Sequence, residues 1–314
     1  MSWKPERALE LIAGTPPGGG LDRSARALVR AIEANKLVDV PVTVVNVGGE
    51  GGRKAWAHID RFPGDGHVVA ISSPNMTADY LMGVTRADPA RFSPLAILYT
   101  EYIAFVVRSG DPMRSGGDLL DRLARDPGGV TIALSTSLGN SNHVAVAKIV
   151  RHAGADTGAP KIRVFDTALD AVADVVAGHA DVGAITAASS VPEIEAGRLR
   201  TIAISSPARL PGVYAGAPTW IEQAWGEQIR DKRAVDCVVG SWRGVSGPVG
   251  LEPAQVGFWQ EVLSAATRTP EWKSELARHF WTEQYLDGAA LRDHLLHERT
   301  EMRAVLSTLG LLSA

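Results

Sequence analysis

Short apolar runs rich in β-branched residues recur through the first two thirds of the chain, at 9–13, 42–46, 68–71, 104–107, 130–134, 162–165, 181–185 and 201–204. Each is expected to form a buried strand, because continuous apolar runs of this length suit a sheet covered on both faces. Helical spacing fills several of the gaps. The clearest case is 22–36, where Ala25, Leu28, Val29 and Ile32 fall at i, i+3, i+4 and i+7 and Asp22 is placed to cap the first turn. Strands alternating with helices predict α/β lobes with mostly parallel sheets.

Beyond Glu252 the pattern turns wholly helical, at 253–267, 271–280 and 289–309, broken by Thr269-Pro270 and Leu286-Asp287-Gly288. These helices need a sheet built earlier in the chain to pack on. Two places suit a change of lobe: the back-to-back strands 95–100 and 103–107, and the segment Val235 to Val245 after the irregular stretch 206–236. Two crossings make the first lobe discontinuous, residues 1–102 plus 240–314, with 103–239 as the second. Helices 54–60 and 22–36 both follow glycine-rich turns.

A chain of 314 residues, 45% apolar, can bury two ordinary cores. With 32 basic against 35 acidic residues and a net charge of −3, it lacks the clustered positive field that a nucleic acid would need. No window approaches the roughly 18 apolar residues of a membrane span, so direct membrane insertion is not expected. Cys237 is the single cysteine, which excludes an internal disulfide and a cysteine metal cage. No charged n-region, apolar core or cleavage site precedes the first strand; either the chain is cytoplasmic or a signal has been removed.

Three loops carry candidate chemistry. The first strand ends in Gly14-Thr15-Pro16-Pro17-Gly18-Gly19-Gly20-Leu21-Asp22 and a helix follows at once, so backbone N–H groups and a helix N-terminus face one point, which suits an anion. Asn46-Val47-Gly48-Gly49-Glu50-Gly51-Gly52-Arg53 repeats the arrangement after the second strand. In the other lobe, Ser135-Thr136-Ser137-Leu138-Gly139-Asn140-Ser141-Asn142-His143 is dense in small hydrogen-bonding side chains. Each alone is also what an ordinary strand-to-helix turn looks like; three together point to a binding site. Neither G-x-G-x-x-G nor G-x-x-x-x-G-K-[ST] occurs, which argues against NAD and ATP, and no cofactor is expected.

Catalytic patterns are missing as well. Gly139-Asn140-Ser141-Asn142-His143 lacks the last glycine of a nucleophile elbow, and His294-Leu295-Leu296-His297-Glu298 is not a zinc motif but is expected as a solvated helix face. No catalytic residue and no metal are assigned, and the chain is read as a non-enzyme. His143 opens a helix, either as a ligand donor or acid/base, or simply satisfied at a helix start. Cys237 is read as a small buried hydrophobe. The eight tryptophans, Trp3, Trp56, Trp220, Trp225, Trp242, Trp259, Trp272 and Trp281, are expected in core or lobe packing. Trp242 lies at the second crossing, where Arg243 either faces a carboxylate or braces the hinge.

From Trp3 almost to Leu312 the chain resembles the periplasmic solute-binding receptors of tripartite tricarboxylate transporters. Pro16-Pro17-Gly18-Gly19-Gly20-x-Asp22 with Ala25-Arg26 resembles the family's first loop, and Asn46 with Gly48-Gly49-x-Gly51-Gly52 its second. Pro63-Gly64-Asp65-Gly66, Gly178-His179-Ala180-Asp181-Val182, Ala196-Gly197-Arg198-Leu199-Arg200 and Trp242-Arg243-Gly244 with Pro248 match further landmarks in order.

The resemblance implies a two-lobed α/β, type II periplasmic-binding-protein-like fold, with crossing strands and a ligand cleft between the lobes. It implies a small organic acid as ligand, membrane transporter subunits as partners, a monomer, and a periplasmic location; the alternative is a cytoplasmic relative acting as an enzyme or sensor. Carried over by position, the first-lobe contacts are Pro17, Gly18, Gly19, Ser73 and Asn75, with Gly20 and Leu21 beside them. The second-lobe contacts are Ser137, Asn140, Ser141 and Asn142, with Asp166 and Thr167. Leu21, Asn142 and the segment Phe165-Asp166-Thr167-Ala168 depart from the family pattern. An ionised Asp166 facing a carboxylate would repel it, unless it pairs with Arg163 or with a donor on the ligand; alternatively it caps the following helix.

Overall fold

The computed structural model describes residues 3–223 and 237–313. Trp225 and the start of the second expected crossing, at Val235, lie outside the described residues. In chain order the elements are β1 (Leu9–Ala13), α1 (Gly20–Ala34), β2 (Val42–Asn46), α2 (Arg53–Ile59), β3 (Val68–Ser72), α3 (Asn75–Leu81), β4 (Ser93–Arg108), α4 (Gly116–Arg125), β5 (Thr131–Ser135) and α5 (Ser141–His152). They continue with β6 (Lys161–Phe165), α6 (Ala168–Ala177), β7 (Val182–Thr186), α7 (Ala187–Glu195), β8 (Leu199–Ile204), α8 (Trp220–Gln223), β9 (Gly240–Gly247), α9 (Pro253–Thr267), α10 (Pro270–His279), β10 (Thr282–Leu286) and α11 (Gly288–Thr308).

The chain divides into two compact units, Met1–Thr100 with Trp242–Glu301, and Glu101–Ser241 with Met302–Ala314. β4 and β9 each pass from one unit to the other, and so does α11 within its last turns. That third passage differs from an assignment of all of 240–314 to the first lobe. Its physical basis is Val305, which is buried in the second unit's core.

In the first unit β1 pairs in parallel with β2 and β3, β3 pairs antiparallel with β9, and β10 pairs antiparallel with the first half of β4. Its core joins Leu9, Leu11, Leu28 and Ile32 to Tyr99, Trp259, Trp272 and Trp281, and the Tyr99 and Trp281 rings stack at 4.0 Å. In the second unit β5 pairs in parallel with β6 and β7, and the second half of β4 pairs antiparallel with β7 and β8. Phe105 and Trp220 meet edge to face at 4.9 Å in its core, and Cys237 is buried there.

Three expectations change. The paired strands 95–100 and 103–107 are one strand, β4, of 16 residues. The C-terminal region is not wholly helical, because β10 adds to β4 through Thr282, Glu283 and Leu286. β6 is not fully buried: among the described residues it pairs only with β5, and Val164 is exposed.

Gly244 in β9 shows how tightly the first sheet is drawn. A Cβ there would stand 2.4 Å from the backbone oxygen of Ala96, an atom no rotamer change can move. Gly244→Ala is therefore expected to destabilise by about 3 kcal/mol, the upper end of ordinary overpacking. A urea midpoint equal to the parent's would contradict this.

Candidate functional site

The loops that the sequence marks for an anion all leave the C-terminal ends of parallel strands, the edge where open α/β sheets bind ligands. After β1, the chain turns through Gly18 at φ +81° and enters α1, whose N-cap is Gly19 with no side-chain cap bond. Gly19 is required by space as well: a Cβ would lie 2.6 Å from the Thr15 side chain. Asp22 is not the cap itself. From within the first turn it reaches back to accept from the Gly18 N–H at 2.8 Å, from Arg26 Nε at 2.9 Å and from Asn46 Nδ2 at 2.9 Å. Burial alone would raise its pKa, but these three donors outweigh burial and hold the carboxyl below the ordinary range.

Asn46 also donates to the Thr15 carbonyl at 2.9 Å, so the first and second loops are fastened together. Gly48 passes so close to Pro16 that a Cβ would touch its backbone nitrogen at 3.0 Å. Ser73 and Asn75 follow β3; Ser73 is buried, and Asn75 is half-buried at the start of α3. Arg53, at the first position of α2, was not singled out from the sequence as a contact, yet it sits at this edge and donates to Asp79 at 3.2 Å. Its signal was its place directly after Gly51-Gly52.

In the second unit, the loop after β5 uses most of its side chains to build itself. Asn140 donates to the Ser135 carbonyl at 2.6 Å and accepts from the His143 N–H at 3.1 Å, capping α5. Asn142 donates to Ser135 Oγ at 3.1 Å. Asn140 and Asn142 thus each give an amide N–H to loop architecture, whereas the Ser137 hydroxyl is sealed from solvent and makes no hydrogen bond. Thr136 has φ +79° and the Ser137 N–H donates to the Ser135 carbonyl at 3.1 Å, which is a γ-turn of the strained kind on a β-branched residue. Such outliers persist where surrounding structure over-determines them, commonly at ligand clamps.

Thr167 caps α6, its hydroxyl accepting from the Asp170 N–H at 3.1 Å. Asp166 is exposed and does not cap that helix, and it does not pair with Arg163, whose guanidinium is held by both oxygens of Asp174 at 2.8 Å. Thr186, at the end of β7, shares a hydrogen bond with Ser189 at 3.2 Å; this buried hydroxyl pair at the same edge went unnoticed in the sequence.

The face of α11 expected to be solvated is not so at Glu298. Its Oε1 accepts from Trp242 Nε1 at 2.6 Å, and its Oε2 is sealed from solvent beside the apolar group of Ile97, Trp242, Leu291 and Leu295. Burial pushes its pKa up to about 7, although the Trp242 bond acts the other way. Trp242 is therefore fixed at the crossing, and the neighbouring Arg243 donates to the Trp242 carbonyl at 2.9 Å. Among the described residues, no group of three His, Cys, Asp or Glu is placed to hold a metal ion, and no helix is long and apolar enough to cross a membrane.

Comparison with known proteins places this arrangement. A curated relative, the UPF0065 protein in the tcbD-tcbE intergenic region of Pseudomonas sp. (strain P51), is 28% identical over 181 residues, 57% of this chain and 52% of the relative. The match thus spans about half the length of that relative. Among solved structures, R. palustris Rpa4515 with adipate is similar at a TM-score of 0.83 and 21% identity, covering 98% of each chain. The periplasmic binding protein BugD is similar at 0.81 and 18% identity, covering 99% of this chain and 100% of that one. These likenesses show a shared fold, that of the two-lobed periplasmic binding proteins. The profile of the tripartite tricarboxylate transporter family receptors matches residues 25–306, nearly the whole chain, and the protein belongs to that family.

Proposed function

We propose that this receptor captures a small organic carboxylate and hands it to membrane transporter subunits, working in the periplasm as a monomer and carrying out no chemistry on its ligand. The observation that carries the reading is the start of α1, a helix of 15 residues whose glycine N-cap supplies no side-chain acceptor; Thr15 Oγ1 takes the Asp22 N–H at 3.1 Å, which leaves the Gly20 and Leu21 N–H groups for a ligand. First-turn N–H groups with the positive end of the helix behind them favour an anion, and Arg26 already balances the nearby Asp22 charge. On this reading Pro17, Gly18, Gly19, Gly20, Leu21, Ser73 and Asn75 serve the ligand from the first unit. Ser137, Ser141 and the backbone at the start of α5 serve it from the second, with Asn140 and Asn142 acting through the loop they shape. The adipate bound to the R. palustris relative supports a carboxylate as the ligand class.

Calorimetry with adipate, malate and benzoate tests the proposal. At least one is expected to bind with Kd below about 1 mM, equivalent to about −4 kcal/mol. Ser73→Ala and Ser137→Ala, one in each unit, are each expected to weaken it several-fold. The ligand should be recovered unchanged; its consumption would favour an enzyme, and no binding to any of the three would overturn the reading.

A further inference from the structure

The first turn of α5 contains a variation on a familiar helix start. In a capping box the N-cap side chain accepts from the third helical N–H, while the third residue's side chain, usually Glu or Gln, reaches back to accept a backbone N–H. Here Asn140 takes the first role and His143 takes the second, its Nδ1 accepting from the Gly139 N–H at 3.0 Å. An imidazole that accepts at Nδ1 carries its proton on Nε2 and is neutral. His143 is buried, and burial alone pulls its pKa down to about 4. β5 and β7, which pack on α5, carry no charged residue; α4 carries Asp118, Asp121, Arg122 and Arg125, and none contributes to that shift.

Neutrality is what distinguishes this box from the usual one. A glutamate in the third position would fasten the loop equally well, but it would place a full negative charge at the helix start where the anion is to bind. We propose that His143 is a positioning residue, a charge-free acceptor that sets the loop from Thr136 to Asn140 so that the start of α5 receives the ligand's carboxylate without repulsion. The inference rests on the receptor reading above and names how the second unit serves it. The strained Thr136 turn, tied by its N–H to the Phe165 carbonyl at 2.7 Å, belongs to the same fastened loop.

Three variants separate acceptor from charge. His143→Gln restores a neutral acceptor, His143→Glu an ionised one, and His143→Leu none. With whichever of adipate, malate and benzoate binds the parent, His143→Gln is expected to stay within about 3-fold of the parent's Kd, and both other variants to weaken it at least 10-fold. Nitrogen-15 spectra should show the Nε2–H tautomer in the parent, and the Gly139 amide should be protected from exchange in the parent and in His143→Gln but not in His143→Leu. An Nδ1–H tautomer overturns the inference, as does parent-like affinity in His143→Leu, or in a folded His143→Glu. If His143→Glu fails to fold, the Gln and Leu variants and the tautomer still decide. A parent that binds none of the three acids overturns the receptor reading, and this role in affinity with it; a parent that binds while His143→Leu binds equally overturns this inference alone.

Discussion

Glu298→Gln is expected to raise stability at pH 8 by up to about 3 kcal/mol and to change it little near pH 4. The carboxyl has a folded pKa of about 7 against an ordinary 4.5, so the folded state holds a proton that the unfolded chain releases. Stability from this group is full below about pH 4.5, falls as pH rises toward about 7, and stays low above it, because a negative charge must then be held beside Ile97, Leu291 and Leu295 with one donor, Trp242 Nε1. Two and a half pH units of difference correspond to about 3 kcal/mol. Glutamine keeps an acceptor for Trp242 and carries no charge. Melting temperatures of parent and variant at pH 4 and pH 8 decide the matter: the parent's decline over this window should flatten in the variant, and parallel curves would show that Glu298 does not titrate there.

Asp22→Ala is expected to cost about 3 kcal/mol and to abolish carboxylate binding. The substitution removes the one buried acceptor that gathers three donors, the Gly18 N–H, Arg26 Nε and Asn46 Nδ2, and each lost hydrogen bond costs about 1 kcal/mol. The ion pair itself adds little, because the exposed Arg26 turns to water when its partner is removed. Asp22→Asn, which retains one carbonyl acceptor, should fall between the parent and alanine. Chemical unfolding and calorimetry on the same samples check both parts. Full stability in Asp22→Ala would mean that the first loop holds its shape through Asn46 and Gly19 alone.

Much of this architecture is written locally. Helix α9 falls at the bounds that its periodicity and Pro253 suggest, and the eight apolar runs all become strands, because spacing and turn residues act over a few positions. The glycine and serine loops could be picked out for the same reason: free N–H groups at a strand-to-helix turn follow from chain direction and residue type. What residue type cannot say is whom a side chain meets. Asn140 and Asn142 have the chemistry of ligand donors, yet the fold engages both with Ser135. Glu298 has the sequence setting of a solvated helix face, yet Trp242, 56 residues earlier, closes over its carboxyl. β10 is too short and polar to stand out, and exists because β4 offers an edge to pair with. The chain's own pattern therefore determined most of the elements, the α/β class and the loops where an anion could bind. Only the tertiary structure decided which polar groups those loops keep for a ligand and which charges are buried, since a hydrogen bond or a lost hydration shell depends on partners that folding brings from distant parts of the chain.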